Sequence, residues 1–249
     1  MKSFLAAASL LAAGMAQAAD ISCLCSVAVK EAYLELLPRF EQASGHKVAT
    51  TWAGTADMMK RMKAGEVFDI VLIASNSLEE LTDTGKIMAG SRVDIAKSGV
   101  GVAVRSGAPR PDISSADALK RALLAAKSIG ISTGPSGVYL MSLFERWGVA
   151  GELKPKFRTP PSGGSVAELA ARGEAEIAFQ QVSEIVHVRG ADFVGPLPAE
   201  IQRITTFSSG IHVGAKEPEA AQAWQKFLTS PEAVPVMKKH GLEPGSSAL

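Results

Sequence analysis

Four short segments of this chain are rich in small or hydroxyl residues at places where a strand should end and a helix begin. They span residues 25–28, 53–56, 132–137 and 160–165. A helix N-terminus attracts anions because it presents free backbone N–H groups and the positive end of the helix dipole. Glycine lets a ligand approach the backbone closely, and a hydroxyl adds a neutral donor. Together the four segments could surround an oxyanion or a carboxylate without any cationic side chain.

The same residue types also have a purely structural explanation. Serine, threonine and glycine are ordinary helix caps and turn formers, so for any one segment capping is the simpler interpretation. Gln180 and Gln181 follow an apolar run at residues 177–179. An amide at the carboxyl end of a strand could donate a hydrogen bond to a ligand, or it could mark an exposed edge. Both explanations stay open for both features.

No motif of nucleophilic, metal or nucleotide chemistry is present. The sequence lacks a nucleophile elbow, a zinc-protease motif, a Walker loop and a dinucleotide fingerprint. Two cysteines and four scattered histidines do not have metal-ligand spacing, so we expect neither a metal nor a cofactor. Cys23 and Cys25 would lie about 6.5–7 Å apart in a strand, at or beyond disulfide reach. Buried thiols are therefore favoured over a bridge, which an oxidising compartment would still permit.

The elements that must position the four segments alternate between strand and helix. A first series predicts strands at residues 21–25, 47–52 and 68–74 and helices at residues 29–40, 55–64 and 77–85. A second series predicts strands at residues 128–132, 156–159 and 177–181 and helices at residues 117–127, 138–147 and 165–172. Two further helices are predicted at residues 218–228 and 231–240. Two β-rich stretches, 92–105 (interrupted at Ser98-Gly99) and 201–213, are long enough to pass between lobes.

This order of elements predicts an α/β fold with two lobes. Each lobe should have a mostly parallel sheet flanked by helices. We assign residues 19–97 with 206–249 to lobe 1 and residues 98–205 to lobe 2. Ligands of such folds bind at the carboxyl ends of the strands, so we expect a cleft between the lobes that closes by a hinge motion.

Residues 1–18 predict an export signal. Lys2 precedes an apolar run over residues 4–13, and Ala16-Gln17-Ala18 supplies a small-x-small cleavage site. The run is shorter than the roughly 20 residues that span a bilayer, so a periplasmic protein is expected. The charge is balanced at 26 basic and 25 acidic residues, which gives no electrostatic footprint for nucleic-acid binding.

Motifs along nearly the whole chain after the signal resemble the molybdate-binding periplasmic proteins of ABC importers. They are SVA at 26–28, WAGT at 52–55, FDIV at 68–71, PSGVY at 135–139, RGEAEI at 172–177, LTSPEA at 228–233 and HGLEP at 240–244. The resemblance implies the type II periplasmic binding fold. It also implies a monomer that captures a small anion and presents it to an ABC permease.

The resemblance further implies where the ligand is held. The implied contacts are Ser26, Gly54, Thr55, Ser136, Gly137, Gly163 and Gln181. Gln181 stands where the family has a tyrosine, and Gly54-Thr55 stands where it has paired serines. These departures remove donors that a tetrahedral oxyanion would use, and they open space for a larger carboxylate.

In this respect the sequence is also similar to the aconitate isomerases, exported enzymes on the same scaffold. They move a proton across an allylic system between cis- and trans-aconitate. Such an enzyme requires a base near the substrate carbon and donors for three carboxylates. Lys30, Glu184 and His212 have suitable chemistry and lie near predicted cleft segments. We therefore expect a solute-binding protein, with an isomerase as the alternative.

Overall fold

The computed structural model describes residues 18–245, so the predicted export signal lies outside the described residues except for its last one. The strands are β1 (Asp20–Ser26), β2 (Lys47–Ala53), β3 (Ile70–Ala74), β4 (Val93–Arg105), β5 (Ile129–Ile131), β6 (Phe157–Arg158), β7 (Ile177–Gln181), β8 (Ala191–Pro196), β9 (Ile204–Ile211) and β10 (Glu243–Pro244). The α-helices are α1 (Lys30–Ser44), α2 (Thr55–Lys63), α3 (Ser75–Asp83), α4 (Ala116–Ala125), α5 (Pro135–Arg146), α6 (Ala150–Leu153), α7 (Val166–Ala171), α8 (Val182–Ile185), α9 (Pro218–Leu228) and α10 (Ala233–Lys239).

The strands form two parallel groups joined by antiparallel strands. Their order is β2-β1-β3-β9-β4-β7-β5-β6, and β8 and β10 also pair with β4. β1 runs parallel to β2 and β3, and β5 runs parallel to β6 and β7. β9 is antiparallel to β3 and β4, and β4 is antiparallel to β7. The predicted two-lobed α/β architecture is confirmed, and we keep the predicted division to name lobe 1 and lobe 2.

β4 is one continuous strand that belongs to both lobes. It pairs with β9 up to Gly99 and with β7 and β8 beyond that residue. The predicted interruption at Ser98-Gly99 was wrong, because Ser98 is buried within the strand. A Cβ on Gly99 would lie 3.2 Å from side-chain atoms of Gln202 and Ile204. Gly99 therefore permits close packing and does not mark a turn.

The sheet of lobe 1 is covered on both faces by apolar side chains. Tyr33 of α1 meets Trp224 of α9 edge-on, with ring centroids 4.9 Å apart. Cys23 and Cys25 point into that same layer, whereas Leu24 between them points into the opposite one. Both thiols are free and fully buried, as their spacing predicted.

Several short elements departed from the sequence prediction. Helix α5 begins at Pro135 rather than at residue 138, since proline is favoured in the first turn of a helix. The sequence pattern missed α6, α8, β8 and β10, each of six residues or fewer. Within the described part of the chain, no helix has the length and apolar character required to cross a membrane.

Candidate functional site

Four strand-to-helix junctions, two from each lobe, meet at one place between the lobes. They enclose a cavity of about 20 Å³, which we call the narrow cavity. Its walls are formed by Ser26, Val27, Ala28, Gly54, Thr55, Ser132, Thr133, Gly134, Pro135, Pro160, Pro161, Gly163, Gly164, Gln180 and Glu184. A volume of this size holds about one water molecule, so the lobes are closed on each other.

Gly54 of lobe 1 lies close to two hydroxyl groups of lobe 2. A Cβ placed on this residue would lie 3.4 Å from the hydroxyl oxygen of Ser162 and 3.5 Å from that of Thr133. Two wider openings flank the narrow cavity. The Lys30 mouth, of about 560 Å³, contains Lys30 and Arg189. The Tyr139 mouth, of about 610 Å³, is lined by Tyr139, Arg203, Val138, Ala74 and their neighbours.

Thr55 presents an unused donor to the narrow cavity. Its hydroxyl oxygen is buried and has no hydrogen-bond partner. Helix α2 begins after Gly54 and α5 begins after Gly134, and neither helix has a side-chain cap. A buried polar group without a partner costs about 1–3 kcal/mol, so this wall is suited to a ligand that accepts hydrogen bonds.

Among the described residues that line the narrow cavity, none is cationic. The hydrogen-bond donors in its wall are therefore neutral groups. The described residues also contain no cluster of three or more His, Cys, Asp or Glu side chains that could hold a metal ion.

Serines of the four segments identified in the sequence differ in what they contact. The hydroxyl of Ser165 accepts a hydrogen bond from the backbone N–H of Glu168 over 3.2 Å, which is an ordinary helix cap of α7. The hydroxyl of Ser26 accepts from the N–H of Ala28 over a longer 3.4 Å and still lines the narrow cavity. The capping explanation is thus right for Ser165, whereas Ser26 both accepts a cap bond and lines the narrow cavity.

Ser136 and Gly137 lie behind the cavity wall rather than in it. The hydroxyls of Ser136 and Ser132 are 2.9 Å apart and hydrogen-bonded. A Cβ on Gly137 would collide with the carbonyl oxygen of Ser132 at 1.7 Å, so only glycine allows this contact. Both residues hold the 132–135 loop against α5, and the structure does not place them among the lining residues.

Gln181 is turned away from the cavity as well. In the amide orientation that satisfies its partners, the nitrogen donates to the carbonyl oxygens of Ser98 and Gly99. The amide oxygen then accepts from the hydroxyl of Thr205. These partners lie on β4 and β9, the two strands that connect the lobes. The expected ligand contact at Gln181 is therefore replaced by a structural role at the crossing strands.

Glu184 is the acidic group in the wall of the narrow cavity, and it also faces the Lys30 mouth. Gln180 donates a hydrogen bond from Nε2 to Oε1 of Glu184 over 2.8 Å. Burial raises the pKa of Glu184 to about 7, although bonds from Gln180 and from the backbone N–H of Gln181 work against this rise. A carboxyl with this pKa can both accept and release a proton near neutral pH.

The other two candidate bases are placed differently. The backbone N–H of His212 donates to the carbonyl oxygen of Asp69, just before the start of β3. This is the end of β3 opposite to the cleft, so His212 is excluded as a base. Lys30 lies in the Lys30 mouth, with its ammonium 6.0 Å from the centre of the Trp52 ring. Of the three candidates, only Glu184 lines the narrow cavity.

The position of Glu184 depends on α8, which the sequence analysis missed. A signal for this helix exists, because Gln181-Val182-Ser183-Glu184 places a glutamate three residues after the helix cap. A glutamate at this position commonly reaches back to the cap's backbone N–H, and Gln181 provides that N–H here.

Comparison with known proteins agrees with this architecture. Residues 21–243 match the model of the family described as bacterial extracellular solute-binding protein. The chain belongs to this family. An aconitate isomerase from a Pseudomonas species is 37% identical over 216 residues, which is 84% of this chain and 82% of that protein. The molybdate-binding protein ModA of Azotobacter vinelandii is 26% identical over 238 residues, 93% of this chain and 92% of that protein.

A solved structure confirms the fold of this family member. The periplasmic molybdate-binding protein of Azotobacter vinelandii superposes with a TM-score of 0.74 at 18% identity, over 89% of this chain and 98% of that one. The chain thus has the type II periplasmic binding fold, and its sequence is similar to molybdate-binding proteins, as the motifs indicated.

Proposed function

We propose that this family member is a periplasmic isomerase that interconverts cis- and trans-aconitate in the cleft between its lobes. The observation that carries the proposal is the carboxyl of Glu184 in the wall of the narrow cavity, with its pKa raised to about 7 by burial. A carboxylate repels an anionic ligand, so passive capture gains nothing from it. An allylic proton shift requires such a group.

The proposed reaction needs only one proton carrier. Ionised Glu184 removes a proton from the methylene carbon of aconitate, and the electron pair spreads over the allylic system and into the adjoining carboxylate. The double bond moves, and protonated Glu184 returns the proton to the carbon that was formerly vinylic. Atoms and charge balance without a cofactor, since the base is regenerated in each cycle.

Neutral donors are placed to stabilise the charge that develops on the substrate. The hydroxyl of Thr55 has no partner in the closed protein, and the first turns of α2 and α5 carry no side-chain cap. Preorganised donors in a site that excludes water are the strongest means of stabilising such charge. The remaining carboxylates of the substrate would extend into the Lys30 mouth, where Lys30 and Arg189 are found.

The relatives support this choice of substrate. The identity to an aconitate isomerase is 37%, against 26% to a molybdate-binding protein. Gly54 and Gln181 also lack the hydroxyl donors that the molybdate-binding pattern supplies at these positions, so the narrow cavity offers fewer contacts to a tetrahedral oxyanion.

The second candidate is a monomeric solute-binding protein that delivers a small anion to an ABC permease. The observation that favours it is the absence of cationic side chains among the described residues of the narrow cavity. A cavity lined by neutral donors and helix N-termini is suited to reversible capture of an oxyanion.

Incubation of the purified mature protein with cis-aconitate separates the two candidates. Chromatography should show the trans isomer accumulating until equilibrium is reached. Molybdate is tested in parallel as a ligand in thermal unfolding. A rise in melting temperature with molybdate, together with no trans isomer, would overturn the isomerase proposal in favour of anion capture.

A further inference from the structure

Gln180 is buried, and both the oxygen and the nitrogen of its side-chain amide form hydrogen bonds. Only 2% of the residue is exposed. Its side-chain oxygen accepts hydrogen bonds from the backbone N–H groups of Val166 and Ala167, over 2.9 and 3.2 Å. Its side-chain nitrogen donates to Oε1 of Glu184 over 2.8 Å. The two N–H donors of α7 require an oxygen facing them, so the amide cannot reverse its orientation.

This fixed orientation makes the two oxygens of Glu184 inequivalent. Oε1 is the acceptor of the Gln180 bond, and the backbone N–H of Gln181 also bonds the carboxylate. Because Oε1 already accepts from an N–H that cannot turn away, the Gln180 bond disfavours a proton on Oε1 and favours one on Oε2.

We infer that Gln180 is a positioning residue that fixes which oxygen of Glu184 exchanges the proton with the substrate, an inference that rests on the proposed isomerase function. Gln180 itself touches no reacting atom in this scheme. It acts by holding Glu184 against the start of α7.

The same amide connects Glu184 to a loop in the wall of the cavity. Gly163 and Gly164 line the narrow cavity and precede α7 by only a few residues. Because Gln180 holds the first N–H groups of α7 and also bonds Glu184, one side chain fixes the carboxyl of Glu184 relative to this loop.

The Gln180→Glu variant tests this inference selectively. An ionised glutamate at this position still accepts the bonds from Val166 and Ala167, so the support of α7 is kept. It has no N–H to donate, and it places a negative charge beside Glu184. We expect the acid limb of the pH–rate profile to move up by one unit or more, with kcat reduced and KM little changed. At pH 6 the rate should fall about tenfold for each unit of that movement.

Two further readouts keep the outcomes distinct. The thermal unfolding of Gln180→Glu at pH 8 reports whether the fold is retained. A ¹³C NMR titration of the Glu184 carboxyl in both proteins reports its pKa directly, whether or not the protein turns over. If the wild-type protein isomerises aconitate but neither the pH profile nor the Glu184 titration moves in the folded variant, the inference about Gln180 is overturned.

A different result is expected if the proposed isomerase function is wrong. In that case the wild-type protein produces no isomer, and the Glu184 titration alone decides the coupling to Gln180. An upward shift of the Glu184 pKa in the variant supports the contact between residue 180 and Glu184 on which the inference depends, and an unchanged pKa overturns the inference.

Discussion

The hydroxyl of Ser183 donates to the carbonyl oxygen of Ala28 over 2.7 Å, which ties α8 in lobe 2 to the turn that follows β1 in lobe 1. Both residues are buried, and the hydroxyl of Ser98 lies 3.3 Å from that of Ser183. Ser183 directly precedes Glu184 in the chain. Closure of the lobes and the position of Glu184 are therefore set by the same short helix.

The Ser183→Ala variant should populate the closed state less. A buried hydrogen bond contributes about 1 kcal/mol net, so we expect the ligand Kd to rise about fivefold. Calorimetric titration measures the affinity, and small-angle scattering measures the extent of closure. Ser106→Ala is the matched control, because the hydroxyl of Ser106 bonds the half-buried Asp192 away from the cleft. Equal affinities for all three proteins would contradict a role of this bond in closure.

Glu184 should lower the stability of the protein at neutral pH. Its pKa is raised by burial from an ordinary value of 4.5 to about 7, so the folded protein binds this proton more tightly than the unfolded chain does. The stability cost is absent below the unfolded pKa, grows between pH 4.5 and 7, and is complete above that range. Glu184→Gln should therefore be more stable than the wild-type protein at pH 8, by about 1–3 kcal/mol.

Denaturant unfolding of both proteins at pH 4.5 and pH 8 measures this difference. The gain should be small at the lower pH and large at the higher one. A gain that is the same at both pH values would show that ionisation of Glu184 is not its source.

Asp69 is a buried anchor of lobe 1. Its carboxylate accepts bonds from the backbone N–H and the hydroxyl of Ser22 and from the N–H groups of Lys216 and Glu217. Burial acts to raise the pKa of Asp69, but these bonds outweigh it and the pKa is lowered. Stability from Asp69 is thus present above its unfolded pKa and is lost as the pH falls through its folded pKa.

In the Asp69→Asn variant an NH₂ group replaces one carboxylate oxygen. It would face the N–H and O–H groups of Ser22, Lys216 and Glu217 that donate to Asp69. We expect a loss of about 2–4 kcal/mol at pH 7, measured by denaturant unfolding, and a smaller difference near pH 3. The exposed residue Asp83 provides the control variant Asp83→Asn. A loss no larger than that of the control would contradict the anchoring role.

Contact between His187 and His240 should make the Lys30 mouth sensitive to acid. The Nε2 atom of His187 lies 3.0 Å from Nδ1 of His240, and Nε2 of His240 lies 2.8 Å from Glu35. Lys239 also bonds Glu35, and Glu31 faces His187. Only one proton fits between the two rings, so protonation of both breaks the contact.

Burial and then the neighbouring His240 lower the pKa of His187. A lowered histidine pKa means that stability falls as the pH drops below the unfolded value of about 6.5. The melting temperature of the wild-type protein should therefore decrease more between pH 7.5 and 5.5 than that of His187→Gln. If the melting temperature decreases equally in the two proteins, His187 is not the source of the sensitivity to acid.

Gly54→Ser tests why the narrow cavity differs from the molybdate-binding pattern. The new Cβ would meet Ser162 and Thr133 at ordinary contact distances of 3.4 and 3.5 Å, so the variant should fold. Its hydroxyl restores a donor and narrows the space for a planar carboxylate. We expect slower aconitate turnover, by about tenfold, and a larger thermal shift with molybdate. Unchanged selectivity would contradict the importance of Gly54.

The alternation of strands and helices could be predicted because most elements are long enough to show a hydrophobic period. The four loops at the cleft could be predicted for a similar reason, since each follows a strand that the sequence pattern had predicted. The sequence could not decide between Gln180 and Gln181, because neighbouring residues of a strand point to opposite faces. Only the packed structure shows that Gln180 faces α7 and that Gln181 faces the crossing strands.

The sequence named Glu184 as a candidate base but could not separate it from Lys30 and His212. Glu184 belongs to a four-residue helix, which is too short for any periodicity, and its raised pKa is caused by burial in the folded structure. His212 shows the converse error, because it belongs to a β-rich stretch predicted near the cleft but lies at the end of β3 opposite to the cleft. Which end of a strand meets the cleft is decided by strand direction, and β9 runs antiparallel to β3.

The most direct test of the central claim compares the rates at which the wild-type protein and Glu184→Gln convert cis- to trans-aconitate at pH 7. Proton NMR distinguishes the vinylic hydrogens of the two isomers and follows both in one sample. We predict turnover by the wild-type protein and a loss of about 10²–10⁴-fold in the variant, with substrate binding retained. Equal rates in the two proteins, or binding of aconitate without any conversion by the wild-type protein, would contradict the assignment of Glu184 as the proton carrier.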